Sequence, residues 1–144
     1  MTRSIGVFII EEHTAVRQAL ELCLRSSPRI NVIGAVGTVA EANIAGSVRR
    51  PDVALLGMKR SDHRAFDLTV ETVKGLTQWG IAVIVLASYF DDFERALLLQ
   101  AGARRYLVKD INAAELIAAI EGVAEETIVR GDFVPGYTST NEEQ

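Results

Sequence analysis

The stretch "RPDVALLGMKRSDHRAF" (Arg50–Phe66) decides the fold. Its apolar run Val53-Ala54-Leu55-Leu56 shows no polar alternation, so the strand it forms needs cover on both faces. That pattern belongs to a parallel sheet held between two layers of helices. The run ends at Gly57, where the carboxyl end of such a strand opens onto a ligand crevice. Such a position commonly carries a reactive side chain, and here it carries none. A basic and polar loop follows, with Lys59, Arg60, Ser61 and Asp62, before a helical pattern from about Ala65 to Gln78.

Outward from this stretch the same alternation repeats. Ile5–Ile10 forms an apolar strand, followed by a helical pattern from Thr14 to about Ser26 in which Val16, Leu20, Cys23 and Leu24 share a face; Pro28 stops it. Ile30–Val36 is the second strand. Thr38 is placed to cap a helix reaching about Arg49, with Glu41 as its capping-box partner. Ile81–Ala87 is the fourth and most hydrophobic strand. A helix from about Asp91 to Ala101 closes at Gly102, and Asp91 and Asp92 suit the positive end of its dipole. Arg105–Val108 is a short fifth strand. Asn112 then caps a last helix with an apolar stripe of Leu116, Ile117, Ile120 and Val123.

Five strand–helix units with right-handed crossovers give an α/β doubly wound sandwich of strand order 2-1-3-4-5 with five helices. Its crevice lies beyond the carboxyl ends of strands 1 and 3. The residues brought there are Glu11 and Glu12 after strand 1, Gly57 after strand 3, Ala87 and Ser88 at the end of strand 4, and Lys109 after strand 5.

The 144 residues suit one domain, expected over 1–126, with 127–144 as a tail or interdomain linker because its Gly, Pro, Ser and Thr lack periodicity. A net charge of −4 disfavours direct nucleic-acid binding by the surface as a whole, leaving only local patches such as Arg49-Arg50 and Arg104-Arg105. The single cysteine, Cys23, cannot form an intrachain disulfide and is expected to be a packed thiol. No run approaches the roughly 18 apolar residues of a membrane span, and the apolar run of "MTRSIGVFIIEEH" is too short for a signal peptide. A cytoplasmic location without membrane association is expected. His13 and His63 have no spacing or cysteine partner that suggests a metal site. Trp79 is expected to pack at the end of the third helix.

The order and spacing of "VFIIEEHTAVRQAL", "INVIGAVGTVAEA", "RPDVALLGMKR" and "LLLQAGARRYLVKDINAAELIAAI" resemble the receiver domain of response regulators, in particular the NarL/LuxR type. The likeness runs from about Ser4 to Val129 and implies a flavodoxin-like receiver fold. In that family an aspartate ending strand 3 accepts a phosphoryl group from a histidine kinase. An acidic pair holds Mg²⁺, a Ser or Thr after strand 4 binds a phosphoryl oxygen, and a Lys after strand 5 pairs with the group. Carried across, the acceptor position falls on Gly57, the acidic pair on Glu11 and Glu12, and the hydroxyl position on Ala87, with Ser88 one place late. Lys109 is retained, as is the switch aromatic, Tyr106. The resemblance therefore implies a degenerate phosphorylation pocket, with no catalytic residue, no metal and no cofactor.

Lys109 would then face neither phosphate nor aspartate. A glutamate, Glu12 in preference to Glu11, is expected to reach across the gap left by Gly57 and pair with it; the alternative leaves all three solvated. Asp62 and Asp67 are poor substitute acceptors, since in-line transfer tolerates little displacement. The expected function is a phosphorylation-independent receiver of a transcriptional regulator, not an enzyme, acting as a homodimer or through a protein partner. Leu97, Leu98 and Leu99 cannot all face inward from one helix, which makes them the expected dimer face. DNA would be met only through a C-terminal helix-turn-helix domain beyond this chain. The alternatives are a stand-alone signalling adaptor and a small-molecule-sensing pseudo-receiver.

Overall fold

The computed structural model describes residues 4–41, 50–58 and 63–130. Its strands β1 (Ile5–Ile10), β2 (Ile30–Val36), β3 (Val53–Gly57), β4 (Ala82–Ala87) and β5 (Arg105–Val108) form one parallel sheet in the order β2-β1-β3-β4-β5. The helices are α1 (Thr14–Leu24), α2 (His63–Gln78), α3 (Asp92–Ala101) and α4 (Ala113–Arg130). Helical backbone also opens at 39–41, where the second helix is predicted. Residues 1–3, 42–49 (the remainder of that predicted helix), 59–62 (Asp62 among them) and 131–144, with the side chains of His63 and of 127–130, lie outside the described residues. Helix α4 runs to Arg130, past Glu126, the domain end that the sequence predicts.

Every residue of β1 and of β4 is buried, which is why neither run alternates with polar side chains. The strand period of two then divides them between two cores. Ile9, Leu55 and Ile84 join Leu24, Leu116 and Ile120 on the α1/α4 side. Phe8, Ile10, Leu56, Val83 and Val85 join Val73 and Leu98 on the α2/α3 side. Truncating a wholly buried member such as Ile84 to alanine costs about 2–5 kcal/mol. The β1–β2 register shifts between Val7 and Phe8, setting Phe8 opposite Gly34. A Cβ on Gly34 would overlap the Phe8 ring, so glycine admits the aromatic there.

The helix starts follow their side-chain signals. Thr38 Oγ1 accepts the Glu41 N–H at 3.2 Å and Glu41 Oε1 accepts the Thr38 N–H at 3.2 Å, a reciprocal capping box. Asn112 Oδ1 accepts the Glu115 N–H at 2.8 Å. Asp91 is the N-cap of α3 rather than its first residue, its Oδ1 accepting the Glu94 N–H at 2.9 Å. Gly102 ends α3 at φ +125°, a conformation that glycine adopts without a Cβ penalty.

Three sequence expectations need correction. Leu98 is fully buried, Leu99 packs against the same core and Leu97 is half-buried, so none of the three presents an open dimer face. Helix α3 rests on both β5 and α2, and two packed flanks cover a wider arc than one. The exposed apolar surface lies instead at its amino end, where Phe93 is 72% exposed beside the exposed Tyr89 and Phe90. Trp79 follows the last residue of α2 and is itself exposed rather than packed. Arg104 and Arg105 both pair with Glu126, at 3.4 and 2.6 Å, so they offer no free basic patch.

Candidate functional site

Parallel strands deliver their carboxyl ends to one edge of the sheet, and the candidate residues meet there. Glu11 directly follows β1 and is anchored by its backbone: its N–H donates to the Val36 carbonyl at 2.9 Å, and its own carbonyl accepts from Arg17 at 2.8 Å. Successive residues of an extended chain point to opposite sides. Glu11 turns inward and is 2% exposed, while Glu12 is exposed. Lys109 follows β5, and its backbone N–H donates to the Ala87 carbonyl at 2.8 Å.

The Lys109 ammonium lies 3.0 Å from Glu11 Oε1 and donates to the Met58 carbonyl at 3.3 Å. The expected pairing across the crevice is therefore present, but its carboxylate is Glu11, not Glu12. Glu11 Oε2 accepts the His13 N–H at 2.9 Å and lies 3.4 Å from His13 Nδ1. His13 occupies the α1 N-cap position without supplying a side-chain cap. Among the described residues Oε1 makes no hydrogen bond, so its contact with Lys109 is chiefly electrostatic.

Gly57 ends β3 directly beneath this pair. A Cβ built on Gly57 would overlap Glu11 Oε1 and stand 2.9 Å from its Cδ. The space that a side chain at position 57 would enter is thus filled by the Glu11 carboxylate. Ala87 is buried in the same core cluster as Met58 and Tyr106 and supplies no hydroxyl, while Ser88 beyond it is exposed. Among the described residues no three His, Cys, Asp or Glu side chains converge as metal ligands. The edge holds the Glu11–Lys109 ion pair, with glycine at position 57 and alanine at position 87 beside it.

Tyr106 sits on β5, three residues before Lys109, and only 8% of it is exposed. Its oxygen accepts the Asp91 N–H at 3.2 Å, its hydroxyl donates to the Tyr89 carbonyl at 3.3 Å, and its ring meets Phe90 edge to face at 5.8 Å. Burial, with the charges of Glu94 and Asp91, pushes the phenol above the usual tyrosine value despite the bond from Asp91, which lowers it. Strand β5 thereby ties the Glu11–Lys109 pair to the loop presenting Tyr89 and Phe90, just before the α3 amino end that carries Phe93. The sequence reading missed that aromatic surface and the bracing of Glu11 by His13 and Arg17; the His and Arg that follow the acidic pair were its visible signal. Cys23 packs against the α1/α4 core as expected, and burial raises its thiol pKa.

Residues 7–121 match the response regulator receiver domain. The chain is 33% identical over 119 residues to the DNA-binding transcriptional activator DevR/DosR of Mycobacterium tuberculosis, covering 83% of this chain and 54% of that protein. It is 31% identical over 121 residues to the transcriptional regulatory protein LiaR of Bacillus subtilis, covering 84% and 56%. It thus spans a little over half the length of these curated relatives. In fold it resembles the signal receiver domain of the putative response regulator NarL from Mycobacterium tuberculosis, with TM-score 0.73, 22% identity and coverage of 85% and 98%. It also resembles a LuxR-family DNA-binding response regulator from Staphylococcus aureus, with TM-score 0.71, 16% identity and coverage of 83% and 98%.

Proposed function

The chain belongs to the response regulator receiver family, and from that premise we propose that it is a phosphorylation-independent receiver of a LuxR/NarL-type transcriptional regulator. It signals by contact rather than by accepting a phosphoryl group. One observation carries this function: the Glu11 carboxylate occupies the space beyond Gly57 and is paired with Lys109 at 3.0 Å. A receiver that accepts phosphate needs a carboxylate nucleophile there and a lysine free to meet the incoming group. Here the nucleophile's position has no side chain and the lysine already has a counter-ion.

The domain extends at least to Arg130, where α4 ends, rather than to residue 126. It would reach DNA through a further, C-terminal domain, a reading supported by the DNA-binding name of the DevR/DosR relative. Among the described residues no helix is long and apolar enough to cross a membrane. Homodimerisation or a protein partner would use the open aromatic surface of Tyr89, Phe90 and Phe93. A metabolite in the crevice is disfavoured, because Glu11 already fills it. The test is incubation with acetyl phosphate and Mg²⁺ followed by intact mass. An unmodified chain is expected, and a phosphoryl adduct on the native sequence would refute the proposal. Light scattering of the Phe93→Glu variant tests the contact surface; an unchanged mass and unchanged partner capture would remove it.

A further inference from the structure

Resting on that function, we propose that Glu11 acts as an internal stand-in for the acceptor carboxylate, so that positions 11 and 57 together decide whether this pocket can take a phosphoryl group. Restoring an aspartate at position 57 alone would leave the pocket closed. Three features lead there. First, any side chain at position 57 must displace Glu11, because even its Cβ would overlap Oε1.

Second, Glu11 is not a loose side chain that can swing aside. It is 2% exposed and pinned by the His13 N–H at 2.9 Å and Lys109 at 3.0 Å. Moving it outward strips its counter-ion from Lys109, whose side chain is only 16% exposed. Third, a new carboxylate would stand against the one already there, and two carboxylates sharing one site oppose each other's ionisation. Glutamate rather than aspartate at position 11 is what creates the block. Its additional methylene advances the carboxylate by roughly 1.5 Å, one carbon–carbon bond, into the space beyond Gly57. Aspartate at position 11 would withdraw the charge towards β1 and return Lys109 to the pocket.

Four versions of the full chain test this: native, Glu11→Asp, Gly57→Asp and Glu11→Asp/Gly57→Asp, each incubated with acetyl phosphate and Mg²⁺. In the double variant a carboxylate oxygen at position 57 attacks phosphorus. The phosphorus–oxygen bond to the acetyl group breaks, acetate departs and an aspartyl phosphate remains, its oxygens facing Lys109. Intact mass is expected to show the adduct in the double variant at least tenfold above Gly57→Asp, and none in the two forms that keep glycine.

Thermal melting monitored by circular dichroism gives a second readout, with Gly57→Asp melting below the double variant because it alone holds both carboxylates in contact. Equal labelling of Gly57→Asp and the double variant would show that Glu11 does not govern the site. A folded double variant that takes no label would overturn the proposal equally. Labelling of the native chain would instead refute the phosphorylation-independent function and leave a separate signature.

Discussion

Replacing Lys109 with methionine keeps most of the stem's volume and removes its charge, leaving a buried carboxylate facing an apolar group. At 3.0 Å and an effective dielectric constant of about 20, the gross attraction lost is about 5–6 kcal/mol. Removing one member of a buried pair typically costs about 3–5 kcal/mol, most of it from the charge left behind. Lys109 keeps 16% exposure, which admits some water and moves the expected loss to about 2–3 kcal/mol. Glu11→Gln should cost a similar amount. Glu11→Gln/Lys109→Met should recover at least about 1 kcal/mol of the summed losses, because neither charge is then stranded. Urea denaturation monitored by circular dichroism measures all three variants on one baseline. A Lys109→Met variant within about 0.5 kcal/mol of the native chain, with additive double-variant losses, would show the pair to be energetically idle.

Asp91→Ala removes the α3 cap and should lower stability by about 1 kcal/mol, while Asp91→Asn should be nearly silent in the same thermal melt. The raised Tyr106 pKa makes the folded state favour the neutral phenol. Its contribution is fully present below the ordinary tyrosine value of about 10 and disappears as pH rises through the higher folded value. Urea midpoints from pH 8 to 11 should therefore fall more steeply for the native chain than for Tyr106→Phe. Burial of Cys23 keeps its thiolate scarce, so iodoacetamide at pH 8 should alkylate the folded chain far more slowly than the urea-unfolded one. Equal rates would contradict its packing.

The strand order and the two-core division were legible because apolar runs without alternation require helices on both faces, and right-handed crossovers leave few topologies. The caps at Thr38 and Asn112 were legible because side-chain capping is local chemistry. The choice between Glu11 and Glu12 was not. Adjacent glutamates differ only in which one the strand's final pleat turns inward, and that depends on backbone anchoring by Val36 and Arg17. The leucine triplet misled for a related reason: the arc of α3 that becomes covered depends on its seat against both β5 and α2, which periodicity in one segment cannot reveal. Trp79 and Phe93 were misplaced or overlooked because large apolar residues are ordinarily counted inward, and exposure of a few of them is a property of the assembled surface.

The most direct measurement is a titration of the isotopically labelled native chain with beryllofluoride and Mg²⁺, followed by amide NMR. With Glu11 filling the pocket and Lys109 already paired, the resonances of Gly57, Met58, Tyr106 and Lys109 should stay in place at every concentration. Saturable shifts clustered on those residues would mean that the pocket still admits a phosphoryl-like group, and the closed-pocket explanation would be wrong.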